Sequence, residues 1–363
     1  MKPVFVNGVV PGPQADVLAA CIRNVFLKAT DDLAWLGKGD VVLLKPALNS
    51  PDPYPSTTHP FGIRVVAELL EERSAKVVIG DQSGIEHVLH HPKGVIRGSS
   101  RENYIRSGMG KKDDARFVSF EDGGWDEGFY RYQSPNTPSW PDGFFITQWA
   151  KKADHIISLP RVSTHSQAGS TLGFKCMVGM LREDSRMEFH ANGPYNNFIT
   201  AAAKGSTFTS RDDGSGTFFE KIVEISDALK DKLRLILFVA TQVQATFGPD
   251  RFGIHLGPVG LGRAHIVSPK PGLVFASADQ VAAEAFALSL LKDLKQSVPF
   301  FPRTTERIIL YQNENVQDFD TIPVRDHPYI RHAMKTGLGE LPGEIRYSQV
   351  PHAMQEKLGR GLE

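Results

Sequence analysis

The sequence of 363 residues is poor in cysteine, with only Cys21 and Cys176. Two thiols cannot supply the four ligands of a zinc ribbon, and they cannot hold an iron–sulfur cluster unaided. The low cysteine content therefore indicates a protein of a reducing compartment. It also predicts that this chain carries no iron–sulfur cluster.

A surplus of one charge and a long apolar run are both missing. Lys plus Arg and Asp plus Glu are each 41, so no net field favours nucleic acid. The most apolar internal run, residues 235–240, is far too short to cross a membrane, and the N-terminal residues lack the apolar core of a signal peptide. We expect a soluble, cytoplasmic protein that binds neither nucleic acid nor membrane; assembly into a homo-oligomer is left open.

Short apolar runs, which are typical of buried strands, alternate along the chain with segments whose apolar residues recur at helical spacing. Hydrophobic residues make up 41% and charged residues 23%, which is typical of a globular protein. The alternation predicts an α/β fold with a mostly parallel sheet flanked by helices. The chain is longer than the length that a single hydrophobic core usually supports, so we expect two lobes with a cleft between them. We place an N-terminal α/β lobe at residues 1–160 and a C-terminal α/β lobe at residues 161–363, although the two could form one continuous domain. Strands are predicted at residues 4–10, 41–44, 76–81, 156–159, 233–240 and 273–276.

The stretch at residues 155–181 contains the strongest site candidate. An apolar strand is followed by a polar loop at residues 163–173 and then by an apolar stripe that predicts a helix. His165 lies in the loop and Lys175 in the first helical turn, at a position where α/β proteins often place their chemistry. Both residues could instead be ordinary surface residues of a turn. Arg161, just after the strand, is a candidate anion ligand or a surface residue.

A second candidate follows the strand at residues 41–44. Lys45 stands at its carboxyl end, and the next loop closes with Thr57, Thr58 and His59 before a helix that starts at Pro60. The free N–H groups of that helix terminus, with Lys45 and the hydroxyls, would bind an anion. The alternative is simple capping of the helix by Thr58 or His59. We predict that Lys45, Thr57, Thr58 and His59 bind a substrate.

Asp81 ends the strand at residues 76–81. It could orient a catalytic group, bind a ligand hydroxyl or cap the next turn. His87, His90 and His91 follow it, but no carboxylate pattern beside them supports a metal site, which favours a solvated loop. A polar segment at residues 192–197 could close over the site.

Several segments together resemble one known family. They are GDVVLLKPAL (39–48), TTHP (57–60), VVIGD (77–81), ADHIISLPRVSTH (153–165), LVFASADQVAAEAFALSLL (273–291) and HPYIRHAMKTGLGE (327–340). These segments resemble the bacterial and archaeal "domain of unknown function 362" family over nearly the whole chain. Thr241 stands where an acid is common in the family, and Glu284 where Asp is usual. Many relatives add a ferredoxin-like cysteine segment that this sequence does not contain.

The loop HSQAGSTLGFK (165–175) also resembles a loop of the nickel-pincer lactate racemase family. In that family the His is an acid/base, the Lys tethers the cofactor, and a metal-ligand His follows at about the interval of His190. The resemblance therefore implies catalytic roles for His165 and Lys175. It also implies a metal-ligand role for His190. A divalent metal or a cofactor linked to Lys175 is implied as well, and its identity is left unknown.

The sequence thus predicts an enzyme that acts on a small carboxylate or phosphate by His/Lys acid–base or covalent-cofactor chemistry, similar to a racemase, an isomerase or a lyase. Its candidate catalytic residues are His165, Lys175 and Asp81, with Lys45, Thr57, Thr58, His59 and Arg161 binding substrate. Two other hypotheses remain. One is a non-catalytic protein that binds a metabolite or metal, and the other is a redox partner of an iron–sulfur protein.

Overall fold

The structure is a computed structural model that describes residues 2–190, 217–251, 255–256, 259–260, 263–310 and 314–362. The predicted polar segment at residues 192–197 lies outside these ranges. None of the described helices combines the length and the apolar composition needed to cross a bilayer.

The described strands are numbered in chain order. They are β1 Val4–Val9, β2 Val41–Pro46, β3 Lys76–Asp81, β4 Leu89–His91, β5 Gly94–Arg97, β6 Phe117–Ser119, β7 Phe129–Tyr132, β8 Phe144–Thr147, β9 His155–Leu159, β10 Ser163–His165, β11 Gly169–Thr171, β12 Leu233–Ala240, β13 Val243–Gln244, β14 His255–Leu256, β15 Val259–Gly260, β16 Ile266–Val267, β17 Gly272–Ser277 and β18 Ile345–Ser348.

The described helices are numbered in the same way. They are α1 Ala15–Ala29, α2 Pro60–Glu72, α3 Ser100–Arg106, α4 Trp149–Lys152, α5 Gly173–Cys176, α6 Glu183–His190, α7 Phe218–Glu224, α8 Gln280–Gln296, α9 Phe300–Leu310, α10 Pro328–Lys335 and α11 His352–Arg360. Short 3₁₀ turns lie at Phe120–Gly123, Met177–Met180, Ile225–Ala228 and Val324–Asp326.

One large sheet organises the described part of the chain. Its strand order is β18-β1-β17-β12-β9-β2-β3-β6. Strands β12, β9, β2, β3 and β6 run parallel to one another, as does the edge pair β1 and β18. Strand β17 is antiparallel to both of its neighbours. The predicted α/β fold with a mostly parallel sheet flanked by helices is therefore confirmed.

The central strands are buried on both faces, which is why they read as unbroken apolar runs in the sequence. Leu43 of β2 and Phe238 of β12 pack on one face, together with α8 and α10. Leu44 and Leu237, their chain neighbours, pack on the other face with α1 and α2. The alternation of side chains along a strand thus supplies two cores from one sheet.

The sheet joins strands from both predicted lobes. Strands β1, β2, β3, β6 and β9 precede residue 160, and β12, β17 and β18 follow it. The proposed boundary falls directly after β9, between two neighbouring strands of one sheet. The division into 1–160 and 161–363 stays a prediction.

Two local predictions in the stretch at 155–181 need correction. The predicted polar loop is a β-hairpin, in which β10 pairs antiparallel with β11. The predicted regular helix after it is a single α-helical turn, α5, continued by the 3₁₀ turn Met177–Met180. The residues of the apolar stripe are buried, but they are divided between two kinds of turn.

Candidate functional site

The hairpin of β10 and β11 places His165 at its turn. His165 pairs with Gly169, whose φ of +71° is a conformation that favours glycine. The Nδ1 atom of His165 accepts hydrogen bonds from the backbone N–H groups of Gln167 and Ala168, at 3.1 and 3.3 Å. An atom that accepts from N–H groups carries no proton, so the neutral ring has its proton on Nε2. His165 is thus held in one tautomer by its own turn.

Lys175 and His190 form a direct contact. Lys175 Nζ lies 3.0 Å from His190 Nε2, and His190 Nδ1 lies 2.8 Å from the carbonyl oxygen of Arg186. A carbonyl oxygen can only accept, so Nδ1 donates to it and Nε2 presents a lone pair to Lys175. Lys175 then donates to that lone pair. The pair is therefore arranged for transfer of a proton between amine and imidazole.

Basic side chains are concentrated around His165. Burial, with a contribution from Arg186, lowers the pKa of Lys175 to about 7. Burial, followed by the nearby charges of Lys175, His190 and Arg161, lowers the pKa of His165 well below its ordinary value. Burial and Lys175 act on His190 in the same direction, lowering its pKa. An amine with a pKa of about 7 is substantially neutral at physiological pH and can act as a base or a nucleophile.

Arg161 adds a buried guanidinium with unused hydrogen-bond donors. Its side chain is 1% exposed, and its Nη1 donates to the carbonyl oxygens of Pro249 and Pro55, at 3.0 and 3.4 Å. Its Nε and Nη2 atoms have no hydrogen-bond partner among the described residues. These two nitrogens form one edge of the guanidinium, the edge that matches the two oxygens of a carboxylate or phosphate. The sequence left a surface role open for Arg161, but the residue is buried.

Lys45 and Asp81 form a buried ion pair. Lys45 Nζ lies 2.8 Å from Asp81 Oδ1, and the carboxylate also accepts from the backbone N–H groups of Leu48 and Gln82. A Cβ added to Gly179 would lie 2.0 Å from Asp81 Oδ1, so the 3₁₀ turn after α5 covers the pair closely. Each charge is thus compensated by the other. Asp81 has its hydrogen bonds with Lys45, Leu48 and Gln82, and none joins it to His165 among the described residues.

Cys176 connects this ion pair with α5. Its Sγ lies 3.8 Å from Lys45 Nζ, and Lys175 is the residue directly before it in the chain. The structure therefore places the Lys45–Asp81 pair against Cys176 and the 3₁₀ turn that follows α5, while the Lys175 amine contacts His190.

The predicted anion ligands before α2 are engaged in local hydrogen bonds. Thr57 Oγ1 donates to the carbonyl oxygen of Asp52 at 2.9 Å. Thr58 Oγ1 donates to the carbonyl oxygen of Leu159 and accepts from the backbone N–H of Ala47 at 2.8 Å. These contacts tie the loop to the sheet, so both hydroxyls have a structural role. Anion binding at this helix terminus stays a prediction.

His59 caps α2. Its Nδ1 accepts from the backbone N–H of Phe61 at 3.2 Å, and burial lowers its pKa to about 4. The capping alternative for this helix therefore falls to His59 and not to Thr58. A ring held neutral in this way is a poor counter-charge for an anion.

Glu284 is a site residue that sequence reasoning noted only as a departure from the family pattern. Its Oε2 accepts from the backbone N–H of Phe174 at 3.0 Å, at the start of α5. A Cβ on Gly173 would lie 2.9 Å from the same oxygen, so glycine permits this approach. Burial raises the pKa of Glu284 to about 8. Glu284 thus fixes the start of α5, the helical turn that carries Lys175, although Glu284 itself lies in α8, 110 positions further along the chain than Phe174.

No curated protein matches the sequence significantly. Among solved structures, the chain is similar to the lactate racemase apoprotein from Thermoanaerobacterium thermosaccharolyticum, with 15% sequence identity and a TM-score of 0.38. The match covers 65% of this chain and 50% of that one, so the chain spans about half the length of that structure. So loose an overlap supports no conclusion about the reaction.

A family model described as "Domain of unknown function (DUF362)" matches residues 42–289. This range is well over half of the chain and includes Lys45, Asp81, His165, Lys175 and His190. The resemblance predicted from the sequence is confirmed, and the chain belongs to the DUF362 family.

Proposed function

We propose that the protein is an enzyme that acts on a small anionic substrate bound beside Arg161, His165 and the Lys175–His190 pair. The observation that carries this proposal is the contact of 3.0 Å between Lys175 Nζ and His190 Nε2 in a buried, cationic environment. Burying an amine without a carboxylate partner is costly, and proteins accept such a cost mainly at functional sites.

A bound anion would relieve the excess of positive charge. Arg161 offers two adjacent donors, Nε and Nη2, that lack protein partners among the described residues. A carboxylate or phosphate on this edge would satisfy both and would raise the pKa of Lys175 and His165 toward their ordinary values. The same edge favours a planar carboxylate, because its two oxygens match the spacing of the two nitrogens.

Two proton-carrying groups would then flank the substrate. The neutral ring of His165 carries its proton on Nε2, and Lys175 can exchange a proton with His190. Neutral Lys175 could remove a proton from the carbon next to the carboxylate and later return it, while the Nε2–H of His165 stabilises the negative charge that develops on the carboxylate oxygens, with no net oxidation. This sequence of events is that of a racemase or isomerase acting on a carboxylate.

Lys175 also fits a covalent role. A neutral amine can condense with a carbonyl group, and Arg could not replace it in this reaction. A cofactor held covalently would be attached at Lys175 Nζ, with His190 Nε2 beside it. A metal at His190 would have to replace Lys175 at Nε2, since Nδ1 is engaged with the backbone.

A test should separate binding from chemistry. The protein is incubated in D₂O with small 2-hydroxy, 2-oxo and amino carboxylates, and exchange of the α-proton is followed by ¹H NMR, while calorimetry measures binding. His165→Asn is the informative variant, because its side-chain oxygen can still accept from the turn amides while the Nε2–H donor is lost. We expect exchange to fall by about 100-fold or more in His165→Asn and Lys175→Arg, with binding largely kept.

Intact-mass measurement of the purified protein addresses the covalent role in parallel. A mass adduct present in wild type and absent in Lys175→Arg would locate a cofactor on this amine. Binding of an anion without proton exchange or an adduct in wild type would instead favour the non-catalytic binding protein. The unused edge of Arg161 is the observation that keeps this alternative open, since it can bind an anion without any chemistry.

A further inference from the structure

Three potential metal ligands lie together outside the set described above. The ligand atoms of Glu86, His87 and Asp250 are all within 4.8 Å of one another. His87 Nε2 lies 2.8 Å from Asp250 Oδ2, and the two side chains are 26% and 17% exposed. Glu86 is exposed. The site is thus open to an ion from solvent.

The distances suit a shared ion. A zinc ion contacts imidazole nitrogen and carboxylate oxygen at roughly 2.0–2.2 Å in tetrahedral geometry, so its ligand atoms stand roughly 3.4 Å apart. The His87–Asp250 distance of 2.8 Å is shorter than this, and no pair of the three ligand atoms is more than 4.8 Å apart. A small separation of His87 from Asp250 and a rotation of the exposed Glu86 side chain would place the three ligand atoms around one cation.

Arg161 provides a second, independent observation. Its Nη1 donates to the carbonyl oxygen of Pro249, the residue before Asp250. Asp250 is also the foremost of the negative charges that act on the guanidinium. The two unpartnered nitrogens of this buried side chain therefore belong to the same neighbourhood as the three ligands. An anion bound to a metal ion here could also reach the free edge of Arg161.

We propose that Glu86, His87 and Asp250 bind a divalent transition-metal cation, with coordination positions left open for an anion held by Arg161. One imidazole and two carboxylates suit Zn²⁺ or Mn²⁺ better than Mg²⁺ or Ca²⁺, which prefer oxygen ligands alone. The cation site stands on the geometry of its three ligands. The bridging anion rests on the proposed function.

The probe is Mn²⁺, added to the full-length protein after treatment with EDTA, with free Mn²⁺ measured by electron paramagnetic resonance. We expect one bound ion per chain that Zn²⁺ displaces and Mg²⁺ displaces poorly. Glu86→Gln and His87→Gln should each weaken binding by about tenfold or more. The matched control is His352→Gln, since His352 is an exposed histidine 3.3 Å from Glu356 in α11. It should bind Mn²⁺ as wild type does.

Absence of a stoichiometric ion in wild type, or wild-type affinity in both Glu86→Gln and His87→Gln, would overturn the proposal and leave an ordinary His87–Asp250 ion pair. Both substitutions are at partly or fully exposed side chains, so the variants should fold. Asp250→Asn is a weaker test, because Asp250 also joins two loops through Asn49. Proton exchange without metal binding would refute the metal site alone, and metal binding without exchange would refute the enzyme alone.

Discussion

Lys45 and Lys175 are both buried, 0% and 7% exposed, yet replacing each by Met should change stability in opposite directions. Lys45 is compensated by Asp81 at 2.8 Å. Lys175 has no carboxylate partner among the described residues, and its amine faces the neutral His190. One lysine therefore completes a buried pair, while the other is a charge that the fold does not compensate.

The size of the Lys175 effect follows from its pKa, which burial lowers from 10.5 to about 7. Each pKa unit corresponds to about 1.4 kcal/mol, so the folded state disfavours the charged form of Lys175 by about 3–5 kcal/mol. Between these two pH values the unfolded chain binds more protons than the folded one. The loss of stability caused by burying the charged Lys175 amine is therefore complete below pH 7, and it declines as the pH rises toward 10.5.

Lys175→Met removes this cost and keeps most of the side-chain volume. We expect the variant to be more stable than wild type by about 2–4 kcal/mol near pH 6, with a gain that shrinks toward pH 9. Lys45→Met should be less stable by about 3–5 kcal/mol, because Asp81 would remain buried without its partner.

Urea denaturation of wild type and both variants at several pH values measures these differences. Lower stability of Lys175→Met at pH 6 would refute the reasoning, and so would a gain that does not depend on pH. Either result would mean that another group compensates the charge of Lys175. It would also remove the main physical argument for a functional amine.

Three further pairs of substitutions test the surroundings of the site. Gly179→Ala should lower the free energy of unfolding by about 1–3 kcal/mol, because its Cβ would lie 2.0 Å from Asp81 Oδ1. The control Gly359→Ala should be neutral or slightly stabilising, because its Cβ meets nothing within 4 Å. Glu284→Gln should unfold like wild type near pH 7, since the acid is protonated there and the amide keeps the acceptor, while Glu284→Ala should cost about 1–3 kcal/mol. His165→Asn should be more stable than His165→Ala by about 1 kcal/mol, because it still accepts from the turn amides. Equal stabilities within any of these pairs would contradict the contact concerned.

The sheet could be predicted from the sequence because its strands are continuous apolar runs. The predicted strands at residues 76–81 and 233–240 have the same bounds in the structure. The hairpin at residues 163–171 could not be found in this way. Its two strands have three residues each and are largely polar, so their pairing depends on the surrounding packing and not on a local pattern.

The partners of single site residues also could not be predicted from a local sequence pattern. In the sequence Lys45 and Lys175 look alike, since each is a cation at the junction of a regular element and a loop. Their difference lies in partners that fold topology supplies: a carboxylate on the neighbouring strand for one, and a histidine on the next helix for the other. His87 was set aside as a metal ligand for the same reason, because Asp250 lies 163 positions further along the chain. Residue types at strand ends therefore predicted where chemistry could occur, and only the tertiary contacts distinguish a compensated charge from one that a ligand has to compensate.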